Sequence, residues 1–276
     1  MATDFSARAD RAIRRGTLLA RQFSCDLLVT HVVDDDQAQS LVEAERWEAQ
    51  VLLEKLAASL RDFDGLRCES RLALGEPFEQ IAIMARAEDA DLIVIGPYRR
   101  DRLKNVFIGA TAERIIRASP RPVLMANGLA AAPYERVLVA TDFSAESRRA
   151  VETAKNLGLL EMTQVSVAHA YAVARQSLRA LTDLGPEDHP ETFAAKAQLT
   201  AFVAALALDP ADQIAEQITV SAAETLRGVA ARMRAELVII GTSQRSPLAQ
   251  AWLSGVAQDL LRFADTDILV VPNAAT

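Results

Sequence analysis

Arg136-Val137-Leu138-Val139-Ala140-Thr141-Asp142-Phe143-Ser144-Ala145 reads as a strand, a tight turn and the start of a helix. Arg136 to Ala140 is a short apolar run, the pattern of a buried strand. Ser144 stands at a helix N-cap position, and Ser144 to Leu159 carries apolar residues at helical spacing. The end of this stretch also opens the chain: Ala2-Thr3-Asp4-Phe5-Ser6-Ala7 matches Ala140 to Ala145 letter for letter. His31 and His169 keep the same offset. Further on, Asp91-Leu92-Ile93-Val94-Ile95-Gly96 matches Glu236-Leu237-Val238-Ile239-Ile240-Gly241, and Pro122-Val123-Leu124-Met125 matches Asp267-Ile268-Leu269-Val270. The order holds throughout and the offset drifts only from 138 to 145, which marks one duplicated unit. The expected domains are residues 1–127 and 134–276. Their seam lies near Asn127 to Tyr134, where Gly128 and Pro133 punctuate an Ala-rich segment.

In the second unit, strands are expected at Arg136–Ala140, Gln164–Ala170, Gln213–Val220, Glu236–Gly241 and Asp267–Val271. Helices are expected at Ser144–Leu159, Phe193–Leu208, Ala222–Met233 and Gln250–Phe263. The first unit repeats this, with helices near Ala7–Gln22, Val42–Leu60, Phe78–Ala87 and Ala110–Arg117, and strands near Asp26–Val33, Leu66–Leu74, Asp91–Gly96 and Pro122–Ala126. Alternating strands and helices with continuously apolar strands predict an α/β fold: a parallel sheet covered on both faces. Ligands of such folds sit beyond the C-terminal strand ends. Only Met1 precedes the first Ala-Thr-Asp-Phe-Ser, where the second copy has Arg136-Val137-Leu138-Val139. The opening strand of the first unit is therefore short. The expectation drawn from this is a start upstream of Met1, because a short central strand leaves its neighbours' backbone groups unpaired.

The 276 residues are half hydrophobic and 24% charged, with a net charge of −7. That acidic balance argues against nucleic-acid and anionic-membrane partners. Two cysteines, Cys25 and Cys68, exclude a disulfide framework or a Cys-rich zinc site. With no signal-like stretch and no apolar run of membrane-spanning length, the chain reads as a cytoplasmic protein. No Gly-x-Ser-x-Gly elbow, Walker loop or post-strand Gly-x-Gly-x-x-Gly occurs.

A strand ending in Ala-Thr-Asp-Phe-Ser and a second strand ending in His resemble the universal stress protein family. So do the Asp-Leu-Ile-Val-Ile-Gly strand, its loop, a Gly-containing helix start and a Pro-Val-Leu strand. The resemblance runs through both halves, as in a tandem member. It implies Rossmann-like domains of the adenine-nucleotide alpha-hydrolase kind, each a five-stranded parallel sheet of order 3-2-1-4-5 with helices on both faces. It also implies a pseudo-dimer of the two halves; many members bind ATP and others bind none, so the cofactor expected is ATP, as Mg-ATP, in the first domain or none, and a homodimer is the expected assembly.

ATP-binding members share a loop of Gly, two residues, Gly, nine residues, Gly, then Ser or Thr. Glycines admit phosphate oxygens to the backbone, and the final Gly-Ser/Thr opens a helix whose amides favour an anion. In the first half Gly96 and Gly109 keep the spacing, Arg99 replaces the second glycine, and Ala110 followed by Thr111 replaces the terminal hydroxyl residue. Arg99 either obstructs a phosphate or pairs with one, and Arg100, Arg102 and Lys104 add charge that is otherwise an ordinary solvated surface. In the second half Gly241 is kept, Gln244 replaces the second glycine, and Ser254-Gly255 stands in inverted order, with Ser254 a plain N-cap or an anion contact. The resemblance places Asp4 and Asp142 at the ribose end of a nucleotide; the other reading is that each caps its own turn with Ser6 or Ser144. It places Val32 and Ala170 near adenine, against the reading of ordinary core packing. His31 and His169 lack an evident partner for base chemistry and read as hydrogen-bonded structural residues. His189, with Glu187 and Asp188, makes poor evidence for a metal site, and Trp252 reads as packing. The function expected is a stress-response protein acting by binding and association, with degenerate nucleotide sites. The alternatives are an ATP-binding switch in the first half and a slow ATPase. The last strands, Pro122–Ala126 and Asp267–Val271, are sheet edges expected to pair with each other or with a second chain.

Overall fold

The computed structural model describes residues 1–97, 110–173, 190–208, 211–242 and 255–273. They form two compact units, Met1–Pro133 and Tyr134–Asn273.

In the first unit β1 (Leu27–Val33) pairs in parallel with β2 (Cys68–Leu74), Leu27 lying opposite Cys68. Likewise β3 (Ile93–Ile95) pairs with β4 (Val123–Met125), Ile93 opposite Val123. The N-terminal residues run between β1 and β3. Ala2 forms a parallel bridge with Thr30, and its amide donates to Val94 O at 2.9 Å. Thr3 N donates to Thr30 O, Thr30 N to Met1 O, and the Met1 amino group to Leu28 O at 2.7 Å. Three residues thus occupy the position of the central strand, and the order is 3-2-1-4-5.

Four helices belong to this unit: α1 (Ala9–Phe23), α2 (Gln39–Asp62), α3 (Pro77–Ala87) and α4 (Ala110–Ala118). The buried side chains of α2, Val42, Ala49, Leu53, Ala57 and Leu60, recur every three to seven residues and make one stripe. Leu53, Ala57 and Leu60 pack on Leu27 and Val29 of β1 and Cys68 of β2. Helix α1 begins two residues later than expected: Ala7 and Arg8 lie in a tight turn in which Ala9 N donates to Ser6 O at 2.9 Å. It closes at Ser24 in the left-handed conformation, φ 52°.

The second unit holds β5 (Arg136–Ala140), β6 (Gln164–Tyr171), β7 (Asp212–Gln217), β8 (Leu237–Gly241) and β9 (Asp267–Val271). They are parallel in the order β7-β6-β5-β8-β9, the same 3-2-1-4-5 pattern. All of β9 and the first four residues of β8 are buried, which is why Leu237–Gly241 and the part of β9 after Asp267 read as apolar runs. The helices are α5 (Ala145–Asn156), α6 (Pro190–Ala205), α7 (Ala222–Met233) and α8 (Gly255–Phe263). Ser144 caps α5 as expected, its Oγ accepting from Ser147 N at 3.2 Å. The helix stops short of Leu159 because Gly158 turns left-handed, φ 71°, and Leu159 N returns to Ala154 O. Strand β7 ends at Gln217 rather than Val220, since Ser221 caps α7 by accepting from Glu224 N. Among the described residues no helix is long and apolar enough to cross a membrane.

Candidate functional site

The repeated Thr-Asp-Phe-Ser forms the same turn twice. In the first unit Phe5 N donates to Thr3 Oγ1 at 3.0 Å, and Ser6 N donates to Asp4 Oδ1 at 3.0 Å. In the second, Phe143 N donates to Thr141 Oγ1 at 2.9 Å, and Ser144 N donates to Asp142 Oδ1 at 3.1 Å. The hydroxyls of Ser6 and Ser144 donate to the same carboxylate oxygens. Short polar side chains that fold back on their own backbone bend the chain here. The bend carries Phe5 and Phe143 to φ 55° and 63°, the left-handed region, which a bulky side chain avoids at a cost of about 1–2 kcal/mol. The reading in which each aspartate caps its own turn therefore holds in both units. Oδ1 belongs to the turn, while among the described residues Oδ2 makes no hydrogen bond and the side chain is exposed.

Burial pushes both carboxyls up, but the serine hydroxyls and amides that donate to them outweigh it. Asp4, with Arg8 nearby, and Asp142 are both held below the ordinary value of 3.8. The two are not held alike. Ser147 Oγ, buried, donates to Asp142 Oδ1 at 2.7 Å and accepts from Asp142 N at 3.3 Å. At the offset of the repeat the first unit has Ala9, which has no hydroxyl to offer.

The histidines are hydrogen-bonded, as read from the sequence. His31 Nδ1 lies 2.8 Å from Thr3 O, and His169 Nδ1 lies 2.8 Å from Thr141 O. A carbonyl only accepts, so Nδ1 carries the proton and, in the neutral ring, Nε2 is left as an acceptor. Each ring also lies against the turn's phenylalanine, with centroids 4.5 Å apart for His31 and Phe5 and 4.3 Å for His169 and Phe143. Val32 lies near the C-terminal end of β1 and Ala170 near that of β6. Pairing of Ala2 with Thr30 and of Ala140 with Ala168 ends two residues before Asp4 and Val32, and before Asp142 and Ala170. Val32 and Ala170 are half-buried.

Gly96 and Gly241 follow or end the fourth strand position of each unit, as the spacing requires. What they admit among the described residues is the protein's own backbone. A Cβ on Gly241 would lie 2.4 Å from Glu146 O and 2.9 Å from Ser147 N; one on Gly96 would lie 3.1 Å from Arg8 O and 3.2 Å from Ala9 Cα. Each glycine thus seats the first helix of its unit, and with it the aspartate turn, against the strand. Ala110 and Thr111 are the first two residues of α4, with Thr111 exposed. Gly255 is exposed and opens α8, where a Cβ would meet nothing within 4 Å among the described residues. Arg99, Gly109 and Ser254 lie outside the described residues, as do Arg100, Arg102, Lys104, Gln244, Arg245, Trp252 and the Glu187-Asp188-His189 segment. The structure thus brings Asp4, Val32 and Gly96 to one strand-end edge, and Asp142 and Gly241 to the matching edge of the second unit.

Sequence reading missed two features. Ser147 carries no motif; only its absence from the first copy distinguishes it. Arg11 and Arg149 were legible from the repeat, since they share the offset of 138. Arg11 Nη1 donates to Asn127 O and Arg149 Nη1 to Asn273 Oδ1, so each first helix grips the residue just past its unit's last strand. Among the described residues no group of His, Cys, Asp and Glu is arranged to hold a metal ion.

A family model described as the universal stress protein family matches residues 1–127 and 133–272. A universal stress protein of Methanocaldococcus jannaschii is 25% identical over 146 residues, covering 45% of this chain and 90% of that protein. Universal stress protein E of Salmonella typhi is 25% identical over 207 residues, covering 71% of this chain and 65% of that protein. The crystal structure of a universal stress protein from Archaeoglobus fulgidus superposes with a TM-score of 0.72 at 16% identity, covering 98% of this chain and 96% of that one, which speaks for the fold alone. With both halves matched and the same strand order in each, the chain belongs to the universal stress protein family.

Proposed function

We propose that this protein acts in the stress response by binding and association, and that the strand-end edge of its first unit takes an adenine nucleotide. One observation carries the reading: the Asp4 turn uses Oδ1 internally and leaves Oδ2 outward at the C-terminal edge of a parallel sheet. An ionised carboxylate oxygen in that place accepts from ribose hydroxyls. Val32, half-buried near the C-terminal end of β1, offers an apolar surface for the base. The described part of the edge fits the sugar and base of ATP. The family's loop pattern assigns its triphosphate to Arg99, Gly109, Ala110 and Thr111, of which Ala110 and Thr111 open α4, and in the second unit to Ser254 and Gly255.

Thermal unfolding of the full chain with and without millimolar Mg-ATP tests this, followed by calorimetric titration. A ligand that binds only the folded chain raises the midpoint by mass action. The expected result is an upward shift that Asp4→Asn abolishes. No shift overturns the nucleotide reading and leaves a scaffold protein of the same family. Association is proposed through β4 and β9, the outer strand of each unit's own sheet, pairing with each other or with a second chain. Light scattering after size exclusion gives the mass; a monomer with both edges open to hydrogen exchange would contradict it.

A further inference from the structure

We propose that His31 and His169 are positioning residues, each holding a strand-end carboxylate in its binding geometry through the phenylalanine that follows the carboxylate. The chain of contacts is short and occurs twice. His31 donates from Nδ1 to Thr3 O, the carbonyl that immediately precedes Asp4, and so fixes the plane of the Thr3–Asp4 peptide. Its ring lies against Phe5, 4.5 Å between centroids and tilted by 35°. Phe5 is the residue in the left-handed conformation, φ 55°, which it does not choose for itself. With Phe5 so turned, Ser6 N and Oγ reach Asp4 Oδ1 and Oδ2 stays outward. In the second unit the same path runs from His169 through Thr141 O and Phe143, at 4.3 Å and 37°, to Asp142. Two copies that differ elsewhere, as at Ala9 and Ser147, keep this path atom for atom.

The histidine does its work with the proton on Nδ1 and the face of its ring, not with a proton it moves. Asparagine can place an amide N–H where Nδ1–H stands, whereas leucine fills the space with no donor. The proposal rests on the nucleotide reading only for its ligand. The aspartate's own titration tests it without one.

The experiment is carbon-detected NMR titration of the Asp4 carboxyl in the full chain, for wild type, His31→Leu and His31→Asn. In His31→Leu the turn relaxes, the serine donors leave, and the Asp4 pKa rises toward the ordinary carboxylate value; in His31→Asn it returns toward wild type. An Asp4 pKa unmoved in a folded His31→Leu overturns the proposal. If His31→Leu does not fold, His169→Leu read at Asp142 decides in the same way. Mg-ATP titrated calorimetrically into the same proteins is then expected to bind His31→Leu about tenfold more weakly, the scale of one hydrogen bond to a charged group. Absence of binding to the wild type defeats the nucleotide reading and leaves the carboxyl result standing.

Discussion

Gly241→Ala is expected to be the most damaging single-methyl change at either strand edge. Its Cβ would sit 2.4 Å from Glu146 O, 2.5 Å from Glu146 C and 2.9 Å from Ser147 N. All three are backbone atoms, so no side chain can rotate away. Restoring an ordinary contact of about 3.5 Å moves the start of α5 by about 1 Å. That movement strains the Ser144 cap and the Ser147 bonds to Asp142. Overpacking of this kind costs about 1–3 kcal/mol, and a weakened cap adds about 1. Alanine recovers about 0.4–1 kcal/mol by stiffening the unfolded chain. The net loss is about 2 kcal/mol, or a melting point lower by roughly 7 °C for a unit of this size. Gly96→Ala is the control. Its nearest atoms lie at 3.1 Å, 3.2 Å and 3.4 Å, and adjustment by a few tenths of an ångström suffices. Strain of about 1 kcal/mol against the same entropic gain leaves it within about 1 kcal/mol of wild type. Both are read by circular dichroism on heating and by urea midpoints. Equal losses in the two variants, or a Gly241→Ala protein as stable as wild type, would show that the approach of α5 to β8 does not govern this edge.

Other changes test the turns directly. Ser147→Ala removes a donor to Asp142 Oδ1 and the acceptor for Asp142 N; it should cost about 1–2 kcal/mol in urea unfolding and raise the Asp142 pKa in an NMR titration. Because Asp142 sits below 3.8 in the folded chain, the stability it contributes is complete above that value and is lost as pH falls through the lowered one. Asp142→Asn should therefore have a lower urea midpoint than wild type at neutral pH, with the gap closing in acid; a constant gap would count against it. Arg149→Met releases Asn273 and should speed amide exchange at the end of β9, at a cost of about 1 kcal/mol.

Much of the architecture was legible because the chain states it twice. The repeated Ala-Thr-Asp-Phe-Ser and the buried runs Ile93–Ile95 and Leu237–Gly241 locate the central strands. Helix ends were legible where a residue has one local role, as at Ser144, and drifted where a later bond intervened, as at Gly158 and Ser221. The site was half legible. Asp4 and Asp142 were visible as residues and as turn caps, but a sequence does not say that the turn uses one carboxylate oxygen, Oδ1, in both copies. Gly96 and Gly241 were singled out for the approach of a phosphate. Their nearest neighbours are instead backbone atoms brought from well over 80 residues away, a proximity that no local pattern encodes. Ser147 escaped because its role depends on which way α5 presents it.

The turn also separates what must stay from what can vary. Its shape is set from behind, by a threonine hydroxyl, a left-handed phenylalanine, a histidine ring and a glycine against which the helix rests. None of these is the outward oxygen or the residues that begin α4 and α8. A duplicated gene can therefore rewrite the mouth of one half, swapping Gly-Ser for Gly-Ala or Ser-Gly, without disturbing the hinge of backbone that carries the carboxylate. The two halves of this chain are then free to drift toward different ligands while folding by one plan.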